Sequence, residues 1–320
     1  MTLASPSDKV DVSVLVPAKD EAENLLEFVC QVVDALTSVP YRCELVIVDD
    51  GSVDETASVL SGLAGRHDFL NVVTHRRQQG IADALRSASD VARGWIYVFY
   101  PADLQFVPSE IPDLVEPIRA GTADVTTGAK QGNYEKAFVS GIYNRLCRWL
   151  FGISVTDMNA VKAYRREVML SQPHRPDWHR FLVVFAAAEG FRVTERPVTL
   201  RPRQAGRSKF GIGRIPIGMT DLLSVWFQIR FGRKPMLFFG VSGGVLFLLG
   251  FLVGIVALIL RFGFGQGFRP LLDLVMVLVV SGIALFGFGF VGEMLAGVRE
   301  DLRSARRSLE QIANDKKQSK

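Results

Sequence analysis

A short apolar run that ends in a cluster of polar residues most constrains how this chain can fold. Residues 45–56 read Leu-Val-Ile-Val-Asp-Asp-Gly-Ser-Val-Asp-Glu-Thr. A strand buried on both faces is continuously apolar, and ligands bind beyond the carboxyl ends of such strands in open α/β sheets. Asp49 and Asp50 are therefore predicted to lie at a ligand site, with Gly51 allowing the tight turn into the next helix. A capped turn without a ligand is the alternative interpretation.

Strand-like and helix-like segments alternate along the first part of the chain. Strands are predicted at 12–16, 45–48, 70–74, 95–100 and 125–127, and helices at 21–36, 54–63, 81–92 and 109–119. This alternation predicts an α/β fold with a mostly parallel sheet. No GxGxxG motif opens the first helix, and GxxxxGK[ST] does not occur. We therefore expect carboxylates, acting through a divalent cation, to grip the ligand.

Two uncharged apolar segments, 235–260 and 274–292, follow this region. At about 1.5 Å per residue the first exceeds a hydrocarbon core about 30 Å thick, and the second nearly matches it. Both are predicted to span a membrane, and a buried hairpin in a soluble core is the alternative. Five glycines in the first segment suit close helix packing in lipid: Gly240, Gly243, Gly244, Gly250 and Gly254.

Basic residues flank the two segments on their outer sides. They are Arg230, Arg233 and Lys234 before the first, and Arg299, Arg303, Arg306 and Arg307 after the second, whereas the connecting loop holds Arg261 and Arg269. The positive-inside rule predicts an integral membrane protein with both termini and the catalytic domain in the cytoplasm. Residues 212–231 mix apolar and charged positions, which indicates either an amphipathic helix at the interface or a core helix. The predicted parts are 1–210, 211–232, 233–298 and a charged tail at 299–320.

Composition excludes several classes of protein. The net charge of +4 argues against a dedicated nucleic-acid binder. Three isolated cysteines and four scattered histidines form no metal-ligand motif. The polar amino terminus has no apolar stretch typical of a cleaved signal.

The order of four motifs carries a resemblance to a known family. Residues 16–24 read Val-Pro-Ala-Lys-Asp-Glu-Ala-Glu-Asn, 48–52 read Val-Asp-Asp-Gly-Ser, 102–105 read Ala-Asp-Leu-Gln, and 203–210 read Arg-Gln-Ala-Gly-Arg-Ser-Lys-Phe. With the two apolar segments, this order resembles the family 2 glycosyltransferases of GT-A fold, and more closely their polyprenyl-phosphate sugar transferase branch. The resemblance implies a Rossmann-like, mostly parallel GT-A domain, then an interfacial helix and two transmembrane helices. It also implies inverting transfer of a sugar from a UDP- or GDP-sugar to polyprenyl phosphate.

The resemblance assigns the nucleotide to acidic residues after the first two strands. The implied nucleotide-binding residues are Pro17, Asp20, Glu21, Asp49 and Asp50. Carboxylates can accept hydrogen bonds from the edge of a base and from ribose hydroxyls. For Glu21, an acidic residue in the first turn of a helix is an equally simple interpretation.

The family's Asp-x-Asp motif, which binds a divalent metal, is altered here. The triplet is Pro101-Ala102-Asp103, so the first carboxylate is missing. Asp103 and Gln105 remain as ligands for Mg²⁺ or Mn²⁺, with the sugar diphosphate and waters completing the coordination. The alternative for Asp103 is a turn residue after a strand.

Further residues are implied on the acceptor side. Lys130, Lys136 and Ser140 are similar to an acceptor-phosphate pocket, and Arg203, Ser208 and Lys209 lie in a glycine-containing loop that suits a lid over phosphates. Solvated basic loops beside anionic lipids are the alternative. Asp157 is the candidate base or orienting group, catalytic together with Asp103. His179 is interpreted as structural rather than as a base.

Three functions are compatible with these residues. The first is transfer to polyprenyl phosphate, the second is transfer to another lipid or a polysaccharide, and the third is a non-catalytic protein that binds nucleotide sugars. The sequence does not specify the sugar or the nucleotide. The glycine-rich helix faces are compatible with a homo-oligomer.

Overall fold

The chain forms two compact units in the computed structural model, one ending at Leu222 and the other beginning at Leu223. The structure describes residues 3, 9–131, 137–173, 175–176, 178–202 and 215–318. Within these ranges, residues 137–140, 142–143, 215–216, 303 and 306–318 are described by their backbone alone.

Seven strands form one sheet in the described part of the first unit. They are β1 (Val12–Ala18), β2 (Cys43–Asp49), β3 (Leu70–Thr74), β4 (Ile96–Phe99), β5 (Val125–Gln131), β6 (Lys162–Arg165) and β7 (Val193–Thr199), in the order β3-β2-β1-β4-β6-β5-β7. β6 runs antiparallel to both neighbours, and the other adjacent pairs are parallel. The predicted α/β class and mostly parallel sheet are confirmed.

The sequence pattern does not predict β6 or β7. β6 has only four residues and begins with a lysine. β7 lies at the sheet edge, is half-exposed over most of its length and contains Pro197, which an edge strand tolerates. Neither strand has the continuous apolar run that marks β1 and β2.

Helices cover the sheet and continue into the second unit. They are α1 (Ala22–Thr37), α2 (Thr56–Ala64), α3 (Ile81–Val91), α4 (Ile111–Arg119), α5 (Ala137–Phe151), α6 (Arg166–Ser171), α7 (Leu182–Ala188), α8 (Ile215–Phe231), α9 (Pro235–Gly263) and α10 (Arg269–Gln318), with short 3-10 helices at Pro108–Glu110 and Trp178–Phe181. The predicted helices among α1 to α4 lie within a few residues of these bounds. α8 has buried Leu222 and Val225 beside exposed Ile217 and Leu223.

The core forms where α1 packs on the central strands. Leu25, Phe28 and Val32 recur at helical spacing and are fully buried. The ring centroid of Phe28 lies 6.4 Å from that of Tyr100, beyond the end of β4. All seven residues of β2 are buried, as expected for a strand covered on both faces.

Buried carboxylates also lie at the amino-terminal edge of the sheet, away from the predicted site. Glu44 accepts hydrogen bonds from Ser13 Oγ (2.6 Å) and from the backbone N–H and Nε of Arg93 (2.6 and 2.8 Å). Hydrogen bonds from the Arg192 side chain hold the pKa of Asp124 at about 2. Both acids therefore have a structural role.

The second unit contains two helices long and apolar enough to cross a membrane, α9 and the Arg269–Leu302 part of α10. Most apolar side chains along them are exposed; Leu248, Leu252 and Val280 are examples that are more than half exposed. A continuous apolar surface of this extent is typical of helices that face lipid.

Glycines bring α9 and α10 close together, as the sequence predicts. A Cβ added at Gly243 would lie 2.6 Å from the carbonyl oxygen of Gly282, and one at Gly250 would lie 2.9 Å from the Val279 side chain. A Cβ at Gly244 would meet nothing within 4 Å, so that glycine does not contribute to the contact between α9 and α10. These close contacts identify the glycines at which a larger residue would push the two helices apart.

α10 is one continuous helix through Gln318, although the sequence analysis treats its apolar segment and charged end separately. At about 1.5 Å per residue it is roughly 75 Å long, more than twice the thickness of a hydrocarbon core. The charged end is rich in Arg, Leu, Ala and Glu, which are strong helix formers. Helix propensity therefore continues where apolarity ends.

Candidate active site

The carboxyl ends of the parallel strands meet at one edge of the sheet, where the described site residues lie. Ala18 at the end of β1 pairs with Asp49 at the end of β2. Because β6 is antiparallel, its first residue, Lys162, reaches the same edge between Phe99 of β4 and Thr127 of β5. The topology thus brings distant segments of the chain together, as it does in other open α/β sheets.

Side-chain hydrogen bonds tie the loop after β1 to the loop after β2. Ser52 Oγ accepts a bond from the backbone N–H of Asp20, and Asp20 Oδ1 accepts one from the N–H of Val53, both at 2.9 Å. Thr56 Oγ1 accepts a bond from the N–H of Glu21 at 2.9 Å. Asp20 has a φ of +53°, an uncommon conformation that Asp adopts more readily than most residues. The two loops therefore form one cross-linked structure.

Asp50 organises the segment between β3 and α3. Its carboxylate is buried and accepts hydrogen bonds from the backbone N–H groups of Gln79 and Gly80, both at 2.8 Å. His75 Nδ1 lies 2.8 Å from Oδ1 of Asp50, and its Nε2 lies 2.9 Å from Ser87 Oγ. Asp50 therefore fixes the start of α3.

Asp49 and Gly51 shape the turn after β2. Asp49 is buried, and its Oδ1 accepts a hydrogen bond from the N–H of Ser52 at 2.9 Å. Gly51 has a φ of +68°, and a Cβ there would lie 2.5 Å from the carbonyl carbon of Arg77. Lys19 Nζ donates to the carbonyl oxygen of Gly51 at 2.8 Å. A glycine is required at this point for both conformation and space.

Pro17 and Glu21 lie on either side of the first loop. Pro17 is inside β1, paired with Val48, so β1 continues further than the sequence indicates. Glu21 precedes α1, and its Oε2 accepts a hydrogen bond from Asn24 Nδ2 at 2.7 Å. Both residues border the same edge of the sheet, and their contact with a nucleotide stays a prediction.

The segment after β4 holds Asp103 in a defined position. Asp103 is 9% exposed, and its Oδ1 accepts a hydrogen bond from the N–H of Gln105 at 3.3 Å. Leu104, between them, has a φ of +54°. The carbonyl oxygen of Gln105 accepts a bond from the N–H of Arg201 at 2.7 Å. This segment is therefore anchored to the chain that follows β7.

Asp103 and Gln105 fit a cation that takes most of its ligands from elsewhere. Among the residues described, no three Asp, Glu, His or Cys side chains group as metal ligands. Mg²⁺ commonly uses one or two carboxylates, with phosphates and waters completing its coordination. One carboxylate and one amide fit that arrangement, so cation binding here would depend on a ligand that carries phosphate.

Two residues predicted for separate tasks form an ion pair. Lys130 Nζ, near the end of β5, lies 3.2 Å from Asp157 Oδ2, and the two side chains are only 13% and 6% exposed. Asp157 Oδ1 accepts a hydrogen bond from the N–H of Asn159 at 2.8 Å. Thr127 Oγ1 donates to the carbonyl oxygen of Asp157 at 3.4 Å. The Asp157 carboxylate is thus oriented, and an incoming anion would compete with it for Lys130.

Lys162 is a second cation at this point, and sequence reasoning missed it. It is 1% exposed, and its Nζ donates to the carbonyl oxygen of Ala160 at 2.7 Å. Burial lowers the pKa of Lys162 to about 7; Asp157 opposes this shift and Lys130 adds to it. The available signal was a lone lysine inside the apolar stretch from Ala160 to Tyr164, since such a residue is rarely buried without a partner.

His179 borders Lys162 from the 3-10 helix at Trp178–Phe181. Its ring meets that of Phe99 edge-on, with centroids 6.1 Å apart. Burial, together with the nearby charges of Lys162 and Arg180, lowers the pKa of His179 to about 3. Its Nδ1 is buried and has no hydrogen-bond partner within the described residues. A neutral imidazole of this kind is a poor proton acceptor, which agrees with the structural interpretation.

The remaining predicted acceptor residues are not placed. Lys136, Arg203, Ser208 and Lys209 lie outside the described residues, and Ser140 lies on α5 where the backbone alone is described. Their roles stay predictions.

Comparison with known proteins identifies the family. A family described as "Glycosyl transferase family 2" matches residues 13–168. The dodecaprenyl-phosphate galacturonate synthase of Rhizobium johnstonii is 31% identical, over 98% of this chain and 96% of its own length. The undecaprenyl-phosphate 4-deoxy-4-formamido-L-arabinose transferase of Edwardsiella ictaluri is 28% identical, over 92% of each chain.

Solved structures share the fold of the first unit. Glucosyl-3-phosphoglycerate synthase from Mycobacterium tuberculosis, in complex with Mn²⁺, UDP and glucosyl-3-phosphoglycerate, aligns with a TM-score of 0.54 and 19% identity, covering 69% of this chain and 80% of that chain. This likeness supports the GT-A fold. Because the similarity to the Rhizobium relative extends over nearly the whole length, this chain belongs to glycosyl transferase family 2.

Proposed function

We propose that this protein is a membrane-bound inverting glycosyltransferase that moves a sugar from a nucleotide diphosphate sugar to polyprenyl phosphate. The observation that carries the proposal is one sheet edge at which the carboxylates after β1, β2 and β4 lie alongside Lys130 and Lys162. Carboxylates suit a nucleotide, and lysines suit a phosphate. Both relatives are named for a polyprenyl-phosphate acceptor but for different sugars, so the sugar is left unassigned.

On the donor side, exposure divides the predicted residues into two groups. Asp49 and Asp50 are buried and accept backbone hydrogen bonds, so we assign them to shaping the nucleotide site. The Asp20 side chain is 34% exposed. Asp20, Glu21 and Pro17 are therefore the proposed contacts for a UDP or GDP moiety.

Asp103 and Gln105 would hold a Mg²⁺ or Mn²⁺ ion on the donor diphosphate. When bound, the cation offsets the negative charge of the leaving nucleoside diphosphate. A structure of the Mycobacterium tuberculosis synthase contains Mg²⁺ and UDP, which supports this use of the fold.

The acceptor phosphate needs alignment more than it needs a strong base, because a phosphate monoester is already ionised at neutral pH. Its oxygen attacks the anomeric carbon, and the bond from that carbon to the diphosphate oxygen breaks with inversion. Lys130 would leave Asp157 and pair with the incoming phosphate. Lys162, buried at the same sheet edge, would add positive electrostatic potential. Asp157 is then the orienting group. Lys136, Ser140, Arg203, Ser208 and Lys209 are proposed to complete the phosphate pocket.

A contact within the first unit supports an acceptor site near the membrane. Arg180 Nη2 lies 3.7 Å from Asp221 Oδ2 on α8, and Arg180 adjoins His179 beside Lys162. We propose that α8 lies at the interface and that the catalytic domain and both termini are cytoplasmic. This orientation would present the site to lipid phosphates at headgroup depth.

The test is a donor screen with undecaprenyl phosphate in detergent, with products identified by mass spectrometry. The Asp103→Ala variant should lose turnover by about 10²–10³-fold, as expected when charge stabilisation of a leaving group is removed. Asp34→Ala, at an exposed position on α1, is the matched control and should retain full turnover. Undiminished activity of Asp103→Ala would eliminate the cation site, and a screen without any lipid-linked product would eliminate the acceptor.

A further inference from the structure

Lys162 is a buried lysine whose place in the sheet is fixed by strand pairing. It is 1% exposed and begins β6, where it pairs with Phe99 of β4 and with Thr127 of β5. Neither of these paired residues carries a charge. A lysine is rarely buried to this degree unless other groups satisfy its ammonium. The contacts of its Nζ therefore indicate which form of the amine the protein accommodates.

The contacts of Lys162 Nζ suit an uncharged amine. Nζ donates a hydrogen bond to the carbonyl oxygen of Ala160 at 2.7 Å, and among the described residues this is its one hydrogen-bond acceptor. It also lies over the ring of Phe99, 5.7 Å from the centroid. An ammonium group has three donors to satisfy, and here one of them is bonded to oxygen. Burial with so few partners favours the neutral amine and lowers the pKa of Lys162 to about 7.

Titratable groups from three other segments surround Lys162. Lys130 and Asp157 form an ion pair of 3.2 Å, in which Asp157 favours the charged form of Lys162 and Lys130 opposes it. The His179 imidazole is neutral, with a pKa of about 3. The neighbouring Arg180 already has a carboxylate partner on α8. Without a ligand, the charges of Lys130 and Asp157 cancel, and a neutral Lys162 completes the balance.

A phosphate monoester bound to Lys130 would upset this balance. It brings about two negative charges above neutral pH, because its second pKa is about 6. Asp157 would lose its partner, although its side chain is only 6% exposed. Negative charges nearby raise the pKa of a buried amine. Protonation of Lys162 would reduce the excess charge, and the ring of Phe99 already lies where it can stabilise an ammonium.

We infer that Lys162 is a positioning residue for the acceptor phosphate, and that it takes up a proton from solvent when this phosphate binds to Lys130. The proton adds to the amine nitrogen, so Lys162 becomes an ammonium and no other bond changes. The inference rests on the proposed function, because it requires a phosphate acceptor at this edge. It adds that acceptor binding weakens as the pH rises, since fewer protons are then available for the uptake.

Calorimetry of undecaprenyl phosphate binding to the full chain in detergent tests the inference. At about pH 8, titrations in two buffers with different ionisation enthalpies give the number of protons taken up. A group with a pKa near 7 is mostly deprotonated at this pH, so the native protein should take up more than about half a proton per phosphate bound. Lys162→Met should take up almost none and bind about tenfold more weakly. Lys162→Arg keeps a permanent charge and should bind like the native protein without the uptake.

The pH dependence of the same binding is the second measurement. From about pH 7.5 to about pH 9 the Kd of the native protein should rise about tenfold, whereas that of Lys162→Met should change less than about twofold. Lys9→Met, which changes an exposed lysine, is the matched control and should follow the native protein. Circular dichroism shows whether each variant is folded.

The outcomes separate this inference from the proposed function. Phosphate binding without proton uptake, or uptake that persists in Lys162→Met, would overturn the role of Lys162 and leave the acceptor in place. Undecaprenol, which lacks the phosphate, should cause no uptake in any variant, and uptake with undecaprenol would also overturn that role. Failure of undecaprenyl phosphate to bind the native protein would contradict the acceptor itself, and this inference with it.

Discussion

The sheet edge that carries the candidate active site has two halves. In the β1–β3 half, at the ends of strands β1, β2 and β3, backbone N–H groups hold the carboxylates. In the β4–β6 half, at the ends of strands β4, β5 and β6, ionised side chains hold one another. Asp50 accepts bonds from two backbone N–H groups. Lys130 and Asp157 pair with each other, next to buried Lys162. The first arrangement is complete without a ligand and fixes the loops. The second contains charges whose balance changes when an anion binds.

This difference separates stability from recognition. Replacing a carboxylate that is bonded to backbone N–H groups leaves those donors buried and unpaired, which lowers the free energy of unfolding. A buried ion pair as a whole contributes less net stability, because its desolvation offsets most of its attraction, although removing one partner leaves the other charge buried and unpaired. We therefore expect substitutions on the β1–β3 half to affect folding first, and those on the β4–β6 half to affect acceptor binding and pH dependence.

The largest effect is expected for Asp50→Asn. The amide group would direct its N–H₂ toward the N–H of Gln79 or Gly80, so a donor would face a donor. We expect the free energy of unfolding to fall by about 2–4 kcal/mol, measured by denaturation of the purified protein. Asp20→Asn is the control. Because Asp20 is more exposed, this substitution should lower the free energy of unfolding by less than about 1 kcal/mol. Equal losses in the two variants would contradict the comparison.

Lys162→Met should change how stability depends on pH. The pKa of Lys162 is lowered to about 7 in the folded protein, so between that pH and the ordinary lysine pKa the unfolded chain binds more protons. Stability should therefore rise with pH through this window. The variant lacks this dependence and should be more stable than the native protein by roughly 1–3 kcal/mol near pH 6, with the gain vanishing by about pH 10.

Thermal unfolding at a series of pH values provides the measurement. Lys9→Met, which changes an exposed lysine of the first unit, is the control and should follow the native curve. Parallel curves for Lys162→Met and the native protein would show that Lys162 stays charged in the folded state throughout. That result would contradict the expectation that the β4–β6 half makes the stability depend on pH.

The β1–β3 half was predictable because a fully buried strand leaves a recognisable run of consecutive apolar residues in the sequence. A strand covered on both faces is continuously apolar, so Asp49 and Asp50 mark its end without any knowledge of the fold. The topology rule for parallel strands then brings the ends of β1 and β2 together. Their partners were less accessible, since His75 and Gly80 approach Asp50 only through the packing of a later loop.

The β4–β6 half was only partly predictable. Asp103, Lys130 and Asp157 were found by resemblance, but their grouping depends on β6, which has four residues and no apolar signal of its own. Lys162 reaches the edge only because β6 enters the sheet antiparallel between β4 and β5. A local pattern does not contain that information, because strand order is decided by contacts between distant segments.

Lys130→Met should weaken acceptor binding more than donor binding. If Lys130 exchanges Asp157 for the lipid phosphate, its loss should raise the KM for polyprenyl phosphate about tenfold, equivalent to about 1.4 kcal/mol. The KM for the nucleotide sugar should change less than twofold. Lys19→Met, which removes a lysine of the β1–β3 half, should leave the acceptor KM unchanged. A tenfold rise in the donor KM instead would assign Lys130 to the diphosphate.

The smallest effect is expected for His179→Phe. The imidazole is neutral, with a pKa of about 3, and its buried Nδ1 lacks a partner within the described residues. Phenylalanine preserves the edge-on contact with Phe99 and removes a buried polar group, which costs nothing when that group is unpaired. Turnover should change less than threefold, and the pH profile of kcat/KM should keep its shape. Loss of an ionisation from that profile would make His179 a participant in proton transfer, and the β4–β6 half would then act through acid–base chemistry as well as charge.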